Sequence, residues 1–261
     1  MSVPLWLVRK DLGISLGQGL PYVLARDVTP RQMLFFCGYY RRMGIAELFM
    51  SGEVVGFVNH LSRSAHAFAF YLEGVPVEHK VTSRSEPFFD AVVCADVKAA
   101  QAIAHASRAT WNPDEEYEED FLYMRLLMDG FALERERGHL DALLKRYEQV
   151  LAGGTDLRLE LCRALLHSDQ QLFDETLERL IGEHRRENEK KLEQEQVSPN
   201  DMATVFHLWV ELLALLRLAE RAKLKVARDY PLAPSVARRM ESIPLPAPDA
   251  WRHIPSFVDL G

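Results

Sequence analysis

The sequence lacks any apolar run long enough to cross a membrane. A transmembrane helix needs about 18 or more consecutive apolar residues, and no stretch of the 261 residues approaches that length. The first residues, MSVPLWLVRKDLG, have no basic residue before their short apolar segment and no small-residue cleavage site after it. They do not match a secretory signal. We therefore expect a protein without a membrane partner.

Cysteine is also scarce. Cys37, Cys94 and Cys162 are far apart, odd in number, and set in apolar contexts such as LFFCGYY. A disulfide-stabilised secreted domain would carry a denser and even-numbered set. The pattern predicts three buried free thiols and a cytoplasmic protein.

The chain has no cluster of basic residues. Its 31 Lys and Arg residues are outnumbered by 38 Asp and Glu residues, and the formal net charge is -7. Binding to nucleic acid depends on clustered Lys and Arg that neutralise phosphates, so we expect no nucleic-acid partner. The apolar fraction of 48% and the charged fraction of 26% are typical of a globular protein.

The motifs of common enzymes are missing as well. There is no Gly-x-Ser-x-Gly nucleophile elbow, and the single Glu-x-x-His pair, Glu136 with His139, is one copy where a helical di-iron site needs two. We therefore predict no metal, no cofactor and no enzymatic activity. One alternative stays open, because His207 and Glu211 lie four residues apart in an apolar segment. They could form an acid–base couple, although such a pair more often makes a polar contact near a core.

Glycine and proline divide the chain into three parts. Residues 1–28 contain three glycines and no helical period, which predicts an irregular N-terminal arm. Residues 29–240 are helical in pattern and have short connections, so consecutive helices should pack as antiparallel hairpins. Residues 241–261 are rich in proline, which predicts an irregular tail. The expected fold class is all-α, an irregular bundle of stacked antiparallel helical hairpins in one domain.

Two helix starts are well marked. Thr29 before Pro30, and Ser198 before Pro199, each combine an N-capping side chain with proline at the first helical position. The second start predicts one continuous helix to about residue 223, with His207 and Glu211 on it.

The densest charge lies in NPDEEYEEDFLYMRLLMDGF, residues 112–131, where six of the seven residues from Asp114 to Asp120 are acidic. We expect this acidic run to open a helix. Carboxylates in a first helical turn offset the helix dipole by about 0.3–1 kcal/mol each, but six of them repel one another. The surplus is either solvated or available to a basic protein partner. Aromatic neighbours favour the second reading, so the predicted partner-binding residues are Trp111, Asp114, Glu115, Glu116, Tyr117, Glu118, Glu119 and Asp120.

Three stretches follow one another in a recognisable order. SEPFFDAVVCADVKAAQAIA comes first, the acidic segment second, and ELLALLRLAERAKLKVARDYPLAPSVA third. Together, over about residues 85–240, they resemble the immunity protein 49 family of bacterial polymorphic-toxin systems. The resemblance implies a mostly helical, non-enzymatic cytoplasmic protein that binds and neutralises a cognate toxin. It implies no set of binding residues, and a basic toxin, with nucleases among the candidates, would suit the acidic run.

A second function fits the same features. A helical-repeat scaffold, or a chaperone for a secreted effector, would also combine stacked hairpins with a charged docking surface.

Overall fold

The computed structural model describes residues 3–238 and 243–254 of the chain. These residues form eleven α-helices and no β-strand, which confirms the predicted all-α class. In chain order the helices are α1 (Leu5–Ala25), α2 (Pro30–Ser51), α3 (Val54–Gly74), α4 (Pro87–Val93), α5 (Val97–Ala106), α6 (Glu118–Leu127), α7 (Arg137–Leu151), α8 (Leu157–His167), α9 (Gln170–Glu193), α10 (Pro199–Ala203) and α11 (Val210–Arg221).

The three long N-terminal helices pack side by side, with α2 between α1 and α3. The start of α2 is as predicted, because the Thr29 side chain accepts a hydrogen bond from the Gln32 backbone N–H in a capping box. Two residues connect α2 to α3, so α3 returns along α2. Gly44 on α2 lies so close to α3 that a Cβ atom there would stand 3.1 Å from the backbone oxygen of Phe57.

The predicted irregular arm over residues 1–28 is wrong, because Leu5–Ala25 is a regular helix. Its buried residues include Val8, Leu12 and Leu16, four apart, which form one stripe facing α2. Packing of this stripe outweighs the weak helix propensity of the glycines.

Helices α4 and α5 lie against α3, and α11 packs on α4. A buried ion pair joins three of these layers. Asp90 on α4 is fully buried, and its carboxylate accepts hydrogen bonds from Arg41 Nε at 2.6 Å, Arg41 Nη2 at 3.0 Å and Ser64 Oγ at 2.6 Å. Because Arg41 lies on α2 and Ser64 on α3, this carboxylate fixes the relative position of the three helices.

The second half of the chain continues with packed pairs, α6 with α7 and α8 with α9. A π-helical turn, Met128–Ala132, follows α6 directly. All three cysteines are free and buried, as predicted, and burial raises the pKa of each thiol.

The predicted continuous helix after Ser198 is wrong. Ser198 does cap α10, but α10 ends at Ala203 and α11 begins only at Val210. The Thr204 hydroxyl donates to the Asn200 carbonyl oxygen, and the Trp209 N–H donates to Leu232 O at 2.8 Å. These contacts hold the segment between the two helices out of helical geometry.

Within the described part of the predicted tail, residues 243–254, the one regular feature is a short 3₁₀ turn, Ala250–Arg252. Trp251 is 2% exposed, and its carbonyl oxygen accepts a hydrogen bond from the Tyr40 hydroxyl at 2.6 Å. This segment is therefore attached to the core of the N-terminal helices. Residues 241–242 and 255–261 of the predicted tail lie outside the described residues.

Candidate partner-binding site

The acidic run from Asp114 to Asp120 forms a turn followed by a helix start, which we call the acidic turn. The prediction that the whole run opens a helix is wrong, because α6 begins at Glu118. The backbone N–H groups of Glu115 and Glu116 both donate to the Asn112 carbonyl oxygen, at 3.1 Å. Asn112 is 5% exposed and its side chain donates to Glu78 O, so the turn is fixed to the body of the protein.

Trp111 stabilises this turn from within. Its indole Nε1–H donates to the Glu116 carbonyl oxygen at 2.8 Å, and its ring packs partly buried against the core. Trp111 was predicted as an interface aromatic, and its assignment to the interface stays a prediction. In the structure its N–H is already used to shape the turn.

Three of the six carboxylates have partners within the chain. Glu116 accepts the backbone N–H of Ser83 at 2.7 Å. Glu118 accepts two hydrogen bonds from the Arg146 guanidinium, at 2.7 and 2.8 Å. Asp120 forms an ion pair with Arg158 at 2.6 Å. Arginine side chains offset the charges of Glu118 and Asp120, whereas Glu116 receives one backbone hydrogen bond and its buried Oε1 has no partner among the described residues.

The other three carboxylates, those of Asp114, Glu115 and Glu119, make no hydrogen bond or ion pair with any residue that the structure describes. Asp114 and Glu115 are exposed and Glu119 is partly buried. Tyr117 stands among them with 75% of its surface exposed. The acidic turn therefore presents three uncompensated negative charges around one projecting aromatic ring.

A chain of polar contacts leads from the acidic turn to a cleft. Arg158 binds both Asp120 and Asp156, and its guanidinium lies 5.4 Å from the centre of the Tyr123 ring. The Tyr123 hydroxyl in turn donates to Glu211 Oε1 at 2.7 Å. Glu211 lines a cleft of about 360 Å³ between α2, α4, α9 and α11.

Two carboxyl groups in this cleft hold their protons more tightly than usual. Burial raises the pKa of Glu211, more than the hydrogen bond from Tyr123 lowers it, and the negative charge of Glu86 adds to the rise. Burial by the cleft walls also raises the pKa of Glu86, although this residue is solvent-exposed on one side. His184 stacks on Trp209 at 3.7 Å between ring centres, and burial lowers its pKa. Raised carboxyl pKa values occur at acid–base sites and in structural contacts alike.

The proposed couple of His207 and Glu211 does not share a helix. His207 is exposed and lies before the start of α11, whereas Glu211 is in the first turn of that helix. The hydroxyl of Tyr123 is the hydrogen-bond partner of Glu211. This finding favours the reading of Glu211 as a polar contact near the core.

A contact between a histidine and an aspartate lies at the π-helical turn, and the spacing of the two residues in the sequence does not reveal it. His139 Nε2 is 2.7 Å from Asp129 Oδ2, and Asp129 also accepts a hydrogen bond from Arg125. The Glu-x-x-His motif of the sequence pairs His139 with Glu136. Both residues line one pocket, but the hydrogen-bond partner of His139 there is Asp129. No group of three or more His, Cys, Asp or Glu side chains suited to a metal ion occurs among residues 3–238 and 243–254.

Within the same described residues, no helix is long and apolar enough to cross a membrane. The chain belongs to a family of immunity proteins. The family model that matches is that of immunity protein 49, and it covers residues 45–237. The match extends the resemblance of residues 85–240 towards the N-terminus, and it leaves α1 and the first part of α2 outside. No curated protein and no solved structure matches the chain.

Proposed function

We propose that this protein binds a cognate bacterial toxin in the cytoplasm and neutralises it by stoichiometric contact, without catalysis. Membership of the immunity protein 49 family supports an immunity role. The observation that supports the binding site is the acidic turn, where Asp114, Glu115 and Glu119 have no partner among residues 3–238 and 243–254 and surround the exposed Tyr117.

The proposed partner is a basic toxin, with nucleases among the candidates. Free carboxylates attract a basic surface over a distance and raise the rate of association. An exposed tyrosine supplies a rigid apolar contact with a polar tip, a combination found often at interface hot spots. The mechanism would be occlusion of the toxin's active site or of the path of its substrate.

The function is tested by co-expression with the protein encoded by the adjacent upstream gene. The expected result is that the neighbour alone stops growth, that this protein restores growth, and that the two co-purify in a fixed ratio. A harmless neighbour would count against the immunity role and favour the scaffold or effector-chaperone alternative.

The site is tested with the triple variant Asp114→Asn, Glu115→Gln, Glu119→Gln. An exposed ion pair contributes about 0.5 kcal/mol, so the loss of three should weaken the toxin complex by about 1.5 kcal/mol, or about tenfold. The effect should shrink at high salt because exposed charges are screened.

The matched control removes the same charge elsewhere. Glu189, Glu193 and Glu195, near the end of α9, are exposed and have no ion pair among the described residues. Their replacement by Gln should leave the affinity unchanged. An equal effect of both triple variants would mean that net charge matters and the acidic turn does not, even if the immunity role holds.

A further inference from the structure

A second cavity lies on a different part of the molecule, between α4, α5 and α11. Its volume is about 370 Å³. Most of its wall is aliphatic and small, formed by Ala91, Val92, Ala95, Val97 and Ala100. This aliphatic part of the wall suits a short alkyl group, since it offers apolar surface, and the other four lining residues are charged.

One cationic side chain in this wall has no hydrogen-bond or ion-pair partner in the described part of the chain. Arg217, on α11, makes no hydrogen bond or ion pair with any described residue, and its Nε and Nη2 atoms are both buried. Burial lowers the pKa of this guanidinium, but an arginine remains charged at neutral pH. A buried charge that neither water nor protein compensates is costly.

The unpartnered atoms form the edge of the guanidinium that recognises carboxylates. Elsewhere in this protein the same Nε–Nη2 edge of Arg41 holds Asp90, at 2.6 and 3.0 Å. The same edge of Arg146 holds Glu118, at 2.7 and 2.8 Å. Two parallel N–H···O bonds of this kind are specific for a planar carboxylate or a phosphate. Arg217 has the same edge, and no carboxylate of the described residues contacts it.

The other charged side chains of the cavity are already engaged. Asp96 accepts hydrogen bonds from Ser62 and from the Ala99 N–H, and it pairs with His66.

The remaining two charges lie on α11. Glu220 accepts from Arg238 Nη1 at 3.0 Å, and its charge partly offsets the effect of burial on Arg217. Arg221 donates to Phe131 O at 2.7 Å and lies near Glu134. Arg217 is therefore the cation of this cavity that makes no hydrogen bond or ion pair with any residue in the described part of the chain.

We propose that this cavity binds a small aliphatic carboxylic acid, with its carboxylate held by the Nε–Nη2 edge of Arg217 and its alkyl group against the alanine and valine wall. Arg217 itself lines the cavity. Because its Nε and Nη2 atoms are buried, binding requires the side chain to rotate until this edge faces the ligand. The wall favours a branched alkyl chain of a few carbons over a bare inorganic anion. The site does not depend on the acidic turn or on a toxin.

The test is titration of the full-length protein with isovalerate, followed by calorimetry and by the unfolding temperature. Isovaleramide, which has the same shape and no charge, and inorganic phosphate serve as comparison ligands at equal ionic strength. The expected result is saturable binding of isovalerate, no binding of isovaleramide, and weaker binding of phosphate. Equal responses to isovalerate and isovaleramide, or none to isovalerate, would overturn the proposal.

Two variants separate this site from a general effect of charge. Arg217→Met should weaken isovalerate binding at least about tenfold by removing both hydrogen bonds. Arg179→Met, which removes an exposed arginine of α9 that pairs with Glu160 and does not line this cavity, should leave binding within about twofold. Persistent binding in Arg217→Met would show that the edge is not the site.

A third variant tests whether the chain supplies its own anion. Glu241 lies outside the described residues. If isovalerate binds Glu241→Gln and not the wild-type protein, the partner of Arg217 is internal and the ligand proposal fails.

Discussion

The carboxylate of Asp90 should contribute more to stability than any exposed ion pair of this protein. It accepts three hydrogen bonds, from the two nitrogens of the Arg41 edge and from the Ser64 hydroxyl, and it is fully buried. Replacement Asp90→Ala would leave the Arg41 charge without its partner. Breaking a buried pair in this way typically costs about 3–5 kcal/mol.

Because of the position of Arg41, we expect a cost at the lower end of this range of free energies. Its side chain keeps 20% of its surface exposed and lines the cleft, so water can partly solvate the orphaned guanidinium. We therefore expect the free energy of unfolding to fall by about 3 kcal/mol in Asp90→Ala. For a domain of this size that corresponds to a decrease in Tm of roughly 6–12 °C.

The assay is urea unfolding followed by circular dichroism, with calorimetry for Tm. Asp141→Ala is the matched control, because Asp141 pairs with Arg137 on the surface of α7 with about half of each side chain exposed. Its loss should cost no more than about 0.5 kcal/mol. The double variant Arg41→Met, Asp90→Leu should regain most of the stability, since no buried charge is left unpaired. A loss in Asp90→Ala no larger than in Asp141→Ala would refute the reasoning.

Two further predictions concern packing and pH. Gly44→Ala should lower the free energy of unfolding by about 1–3 kcal/mol, because its Cβ would press on Phe57 and His60 of α3. Gly17→Ala, on the open surface of α1, should raise the free energy of unfolding by up to about 1 kcal/mol. Chemical denaturation measures the change in each variant, and changes of the same sign in the two variants would contradict the packing argument. The variant Glu211→Gln should be more stable than the wild-type protein at pH 8 and not at pH 4. The pKa of Glu211 is raised in the folded state, so the stability of the wild-type protein falls as the pH increases from 4.5 through the folded pKa. The Gln side chain of the variant does not ionise, and its amide oxygen still accepts the hydrogen bond from Tyr123. A pH-independent difference in the unfolding free energies would rule this out.

Much of the helical framework follows from local sequence. Thr29 and Ser198 mark helix starts because a capping side chain and a following proline act within one turn. The helix α1 was missed because its glycines and Pro21 suggest a break. The spacing of Val8, Leu12 and Leu16 contained the signal, but only packing against α2 makes it decisive.

The sequence marks the candidate site as an acidic segment, and it does not show which of the carboxylates have partners in the folded chain. Charge density along the chain singles out residues 114–120 by itself. Which carboxylates remain free depends on Arg146 and Arg158, which are 28 and 38 residues away from their partners Glu118 and Asp120. The same holds for Arg217, because its lack of a partner within residues 3–238 and 243–254 depends on how the helices pack. Local patterns report charge, whereas compensation of charge is set by tertiary contacts.

The three native cysteines can be used to measure local unfolding by thiol labelling. Cys37 lies on α2, Cys94 directly after α4 and Cys162 on α8, and none is more than 3% exposed. Because burial raises the pKa of each thiol, a thiolate-directed reagent reacts only after the surrounding helices separate. The labelling rate of each cysteine then measures how often its own region opens, at three positions in the bundle and without any engineered probe.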